Sequence, residues 1–125
     1  MNYFSFKRIF TIAAATLLAS LAQLSWAHAV LQKSSPASNA VLSAAPKEIR
    51  TGFNEALEAA FSTITVSDDI GKMVATAKSN VDPADPKAMS LALPPMTAGR
   101  YHVKWTAVTV DGHRTHGTYT FSVRK

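Results

Sequence analysis

The sequence contains no cysteine. That removes disulfides, thiolate nucleophiles, iron–sulfur clusters and thiolate zinc sites from consideration. Glycine and proline are also sparse, at five and six residues, and nowhere form a linker or low-complexity tract. The methionines are Met1, Met73, Met89 and Met96. They are too widely spaced to build a cluster of soft thioether ligands, and Met89 and Met96 read as packing residues. Runs of like charge are missing as well. Thirteen Lys and Arg stand against eight Asp and Glu, and the cations are scattered without interleaved aromatics. This argues against nucleic acid as a partner. Helical periodicity is weak beyond residue 28.

One long apolar run is present, and it lies at the start. Lys7 and Arg8 precede an uncharged stretch from Ile9 to Leu24, followed by Ser25-Trp26-Ala27. A basic start, an apolar middle and a small-x-small end describe a secretory leader. The run is shorter than the roughly 20 residues of a spanning helix, so no stable membrane insertion is expected after processing. Residues 1–27 are therefore read as a removed signal peptide. Cleavage after Ala27 leaves residues 28–125 as one 98-residue domain. Losing Lys7 and Arg8 lowers the net charge from +5 to +3. Ala27-His28-Ala29 offers a competing cut that would leave Val30 first.

The remaining chain alternates. Tyr101, Val103, Trp105 and Ala107 share one face of a strand, with His102, Lys104 and Thr106 on the other. Tyr119, Phe121 and Val123 repeat the pattern, and residues 48–53 and 61–66 show weaker versions. Period two with one apolar face predicts half-buried strands. Turn residues separate them at Ser35-Pro36, Asp68–Gly71, Asp82–Pro86, Pro94-Pro95, Ala98-Gly99 and Asp111-Gly112. The stretch 82–86 reads as a surface loop, and 55–60 as a helical turn or bulged loop. The fold expected is all-β, a small antiparallel sandwich or barrel.

Three of the four histidines, with one aspartate, carry candidate chemistry. As a new N-terminus, His28 would offer its α-amine and its imidazole to one ion, closing a chelate within one residue. Asp111 and His113 lie two apart and point to the same side of an extended segment, on a loop beyond the Trp105 strand. Together these groups supply three nitrogens and one oxygen, a set suited to tetragonal Cu(II). Plainer readings stand beside this one: an exposed terminal His28, a simple Asp-Gly hairpin turn and a loop His113. His116 reads as a surface side chain of the last strand, with alternate ligand as its second reading. His102 reads as solvent-facing. Glu55 is either a solvated loop acid or a carboxylate that orients a ligand imidazole.

Taken in order, these features resemble the CopC-type periplasmic copper-resistance proteins. The residues that carry the resemblance are His28-Ala29, Ser34–Ala37, Ala45-Pro46, Phe53-Asn54-Glu55, Ile64–Val66, Thr97–Tyr101, Val103–Trp105, Asp111–His113 and Thr120–Val123. The resemblance implies a Greek-key sandwich of immunoglobulin-like type and a periplasmic Cu(II) carrier in copper homeostasis or resistance. It implies one Cu(II) per chain held by His28, Asp111 and His113, with Glu55 beside them. It further implies no catalysis, and hand-off to a partner of the inner-membrane copper-transporter kind. Two departures are visible. The methionine-rich loop of some members is missing, and position 116, often Ser or Thr in such sequences, is His. Two other readings compete: a copper-dependent oxidative enzyme with a histidine brace, and a metal-free immunoglobulin-like interaction module.

Overall fold

A computed structural model describes residues 28–125; the leader read at 1–27 lies outside the described residues. Eight strands follow in chain order: β1 (Leu31–Ser35), β2 (Val41–Leu42), β3 (Glu48–Phe53), β4 (Thr63–Asp68), β5 (Asn80–Asp82), β6 (Asp85–Ala92), β7 (Gly99–Val108) and β8 (Arg114–Val123). They form two four-stranded sheets, ordered β1-β3-β6-β5 and β2-β8-β7-β4. The chain crosses repeatedly between the sheets, as a Greek-key sandwich requires. All pairings are antiparallel except that of β2 with β8. Only Val41↔Ser122 and Leu42↔Val123 pair there, so the parallel contact is confined to a short edge strand. No helix among the described residues is long and apolar enough to cross a membrane.

The two inward faces meet in one core. From β7 come Tyr101, Val103, Trp105 and Ala107; from β8 come Tyr119, Phe121 and Val123. These are the faces that alternation predicts. Ile49 and Phe53 of β3, Ile64 and Val66 of β4, and Met89 and Leu91 of β6 close the core from either side. Each large apolar side chain removed from water contributes about 1.5–3 kcal/mol. In a chain without disulfides, this burial holds the sheets together. The Tyr101 hydroxyl donates to the Thr97 carbonyl at 2.6 Å, which satisfies its polar tip.

Two local expectations change. The segment 82–86 is not all loop, because β6 begins at Asp85 and runs centrally between β3 and β5. Pro86 is accommodated at the exposed start of that strand, where a missing N–H is tolerated. In the 61–66 stretch the inward face carries Ser62, Ile64 and Val66, while Phe61 is 65% exposed. Ser62 is drawn inward because its Oγ accepts from the Val108 N–H at 3.0 Å. Residues 55–60 form an irregular loop whose Leu57 bridges to Thr109.

Strands β7 and β8 form the longest hairpin, paired from Gly99↔Val123 to Val108↔Arg114. Its tip is the five-residue segment Thr109–His113, which contains two of the candidate ligands.

Candidate metal centre

Asp111-Gly112-His113 turns the chain at the hairpin tip. Gly112 has φ +89°, a left-handed conformation that glycine adopts without the Cβ penalty. Thr109 closes the turn from below. Its N–H donates to the His113 carbonyl at 2.9 Å, and its hydroxyl accepts from the His113 N–H at 3.2 Å. The same hydroxyl donates to Asp111 Oδ1. His113 Nδ1 also meets Asp111 Oδ1, at 3.1 Å. Both contacts use one carboxylate oxygen, and Nδ1 is the ring nitrogen engaged. Asp111 Oδ2 and His113 Nε2 take no part in these contacts and are the atoms that could hold an ion.

These contacts act on Asp111 electrostatically. The Thr109 hydroxyl, and after it the His113 ring, favour the ionised carboxylate and hold its pKa at about 2, below the ordinary 3.8. A depressed carboxylate stabilises the fold above its ordinary value. That contribution is lost as the pH falls from about 3.8 towards about 2. Thr109→Val keeps the shape of the side chain and removes its hydroxyl. Asp111 in this variant is expected to titrate closer to 3.8, as followed by carboxyl-carbon NMR. An unchanged midpoint would mean that the hydroxyl does not set it.

His28 arrives from the other sheet. Ala29 is 3% exposed and packs into the core, which leaves His28 at the surface. The imidazoles of His28 and His113 stand 5.0 Å apart centre to centre, at 77°. Imidazole nitrogens bind divalent ions at about 2.0 Å, so two rings on one ion stand roughly 4–6 Å apart. The observed spacing falls in that range. The three side chains are neighbours in pairs and not yet a closed set: among the described residues no group of three or more His, Asp or Glu side chains converges as a metal cage. A further candidate donor is the His28 nitrogen, which is an amide wherever Ala27 precedes it.

The other candidates are placed as follows. Glu55 is half-buried and follows Asn54 directly at the end of β3. His116 is exposed on β8 opposite Thr106. It lies on the sheet face opposite Thr115, the neighbour that contacts the His28 arm. The structure does not bring His116 to the His28–His113 pair. His102 is not simply solvated: its Nε2 meets Asp69 Oδ1 at 2.8 Å, and Arg100 shares that oxygen at 3.1 Å. Hydrogen bonds from these two lower the Asp69 pKa, the His102 contact most.

Three residues with roles here were not visible as site residues. Thr109 orders the turn. Asn54 and Thr115 tie down the arm that carries His28. A threonine two residues before Asp-Gly is a local turn signal that reading the sequence could use. The other two act across 26 and 86 residues of sequence and leave no local mark.

The chain is thus a small β-sandwich domain with two histidines and an aspartate near one end, one histidine on the arm that precedes β1. The CopC domain model matches residues 31–124, and the chain belongs to the CopC family. It is 38% identical over 122 residues to protein YobA of Escherichia coli K12, covering 96% of this chain and 98% of that protein. It is 36% identical over 130 residues to copper resistance protein C of Pseudomonas syringae pv. tomato, covering 99% and 98%. The crystal structure of CopC from Methylosinus trichosporium OB3b superposes with a TM-score of 0.73 at 31% identity, over 78% of this chain and 94% of that one.

Proposed function

We propose that the protein is a periplasmic Cu(II) carrier or scavenger, serving copper homeostasis or resistance, with a single site built on its processed N-terminus. Residues 1–27 act as the secretory leader, and cleavage after Ala27 frees the His28 amine. That amine, the His28 and His113 imidazoles and the Asp111 carboxylate form a three-nitrogen, one-oxygen set suited to tetragonal Cu(II). The observation that carries this reading is the 5.0 Å approach of the two imidazoles beside the ordered Asp111–His113 turn. Glu55 directly follows Asn54, which holds the His28 arm, and it is assigned a supporting role next to the site.

The chain's own residues explain how an ion would be taken and released. Asp111 stays ionised far into the acid range, because its pKa is held at about 2. The nitrogens must shed protons before they bind. Copper affinity therefore falls as the medium becomes acidic, and acidification favours release. Nothing in this scheme requires turnover, so the protein acts as a carrier rather than an enzyme. Hand-off goes to a copper-accepting partner, with an inner-membrane transporter as the proposed recipient.

The test is a Cu(II) titration of the secreted, processed protein, followed by electron paramagnetic resonance, with the N-terminus verified by mass spectrometry. One equivalent in a tetragonal, nitrogen-rich site is expected. Heterogeneous weak binding, or a mature chain that starts at Val30, would overturn the assignment.

A further inference from the structure

In the processed protein His28 would be the chain end, and a chain end normally frays. A ligand on a fraying arm must be ordered when the ion binds, and that ordering weakens affinity. In this structure the arm is already held. Asn54 Oδ1 accepts from the Val30 N–H at 2.6 Å, and Asn54 Nδ2 donates to the His28 carbonyl at 3.4 Å. The Asn54 backbone N–H donates to the Val30 carbonyl at 3.2 Å. From the other sheet, the Thr115 hydroxyl donates to the Ala29 carbonyl at 2.9 Å. Three consecutive carbonyls, 28 to 30, and the Val30 N–H are thereby all engaged. Ala29 is buried between the two anchors.

The side-chain amide of Asn54 suits this task. It presents one acceptor and two donors in a plane, so a single side chain grips the backbone on both sides of Ala29. Because the Thr115 hydroxyl reaches the Ala29 carbonyl from β8, the arm is fixed relative to the strand that begins just past His113. The two halves of the site are thus held in one frame before any ion arrives.

We infer that Asn54, assisted by Thr115, is a positioning residue of the metal site: it preorganises the N-terminal arm so that the His28 donors face Asp111 and His113. This rests on the proposed Cu(II) site and adds the residue that sets its geometry. Asn54 itself contributes no donor to the ion. Supporting contacts of this kind are worth about 10- to 100-fold in metal affinity.

The experiment compares processed wild type, Asn54→Ala, Thr115→Val and His28→Ala. Cu(II) affinity is measured by competition with a chelator, and the bound ion by electron paramagnetic resonance. Exchange of the Val30 amide proton is measured in the metal-free proteins. Asn54→Ala is expected to lose Val30 amide protection, bind Cu(II) about tenfold more weakly, and show a broadened copper spectrum at unchanged stoichiometry. Thr115→Val keeps its shape and loses only the hydroxyl. It is expected to weaken binding in the same direction, which keeps the test open if Asn54→Ala folds poorly. A tight site lost in His28→Ala but unaltered in affinity and spectrum by both Asn54→Ala and Thr115→Val would overturn the positioning role and leave the site standing. Wild type that binds no better than His28→Ala would overturn both.

Discussion

Protein that begins at His28 with a free amine is expected to bind one Cu(II) about a hundredfold more tightly than the same protein with that amine acetylated. Acetylation turns the amine into an amide, places no new amine beside it, and so deletes one of the four proposed donors. Four-donor metal sites in small domains are worth on the order of 10 kcal/mol, so one donor corresponds to roughly 2–3 kcal/mol, or about a hundredfold. His28 is exposed, so the acetyl group has room and the fold is expected to be unaffected. Equal thermal melts of the two metal-free proteins check that point, and parallel Cu(II) competition titrations check the affinity. Equal affinities would place the site elsewhere. Retained binding with a shifted, nitrogen-poorer spectrum would keep the imidazoles and remove the amine from the set.

The second large effect concerns the hairpin that carries the loop. Gly117 faces Trp105 in the β7–β8 register, and the indole lies directly over it. A Cβ at Gly117 would stand 2.6 Å from Trp105 Cζ2 and 2.7 Å from Cε2. A buried ring cannot move aside freely in a close-packed core. Trp105 is 8% exposed and packs edge-on against Phe53, with centroids 5.2 Å apart. Gly117→Ala is therefore expected to cost about 1–3 kcal/mol, a fall in Tm of roughly 4–8 °C per kcal/mol for a domain of this size. Trp105 is the one tryptophan of residues 28–125, so its emission reports the displacement directly. Gly52→Ala offers the contrast. Its Cβ would meet Lys33 Cε at 2.9 Å, the far part of a flexible side chain that can swing away. A melt unchanged in Gly117→Ala would show that the indole has room to shift. Because Phe53 precedes Asn54, such a shift would also reach the anchor of the His28 arm.

The strands that were clearest in the sequence are those with one wet face. In β7 and β8, alternation alone places Tyr101, Val103, Trp105, Tyr119, Phe121 and Val123 in the core, and all six are buried. Strand β6 is harder to read because it is central in its sheet and starts at Asp85-Pro86, residues that also mark turns. Ser62 was hidden for another reason. Its burial depends on a hydrogen bond to Val108, 46 residues away, and no local pattern announces such a partner.

The same division holds at the site. Asp111, Gly112 and His113 form a turn that the chain makes for itself, so their spacing is informative. The arm that carries His28 is held by Asn54, at the end of β3, and by Thr115, which reaches it from the other sheet. Amphipathic alternation says nothing of these, because both are polar and half-buried. His102 shows the limit from the other side. Its polar-face position was legible, but its pairing with Asp69 on the neighbouring strand's end was not.

The arm bearing His28 is tied to the end of β3, in one sheet, while Asp111 and His113 hang from the β7–β8 hairpin of the other. An ion gripped by both would rivet the two layers together at that end. In a chain without cysteine, it would do mechanically what a disulfide staple does in many secreted sandwiches. On the proposed reading this staple would differ in two ways: a chelator could draw it, and it could not be set before cleavage after Ala27. Resistance to proteolysis and heat would then report how much copper the compartment holds.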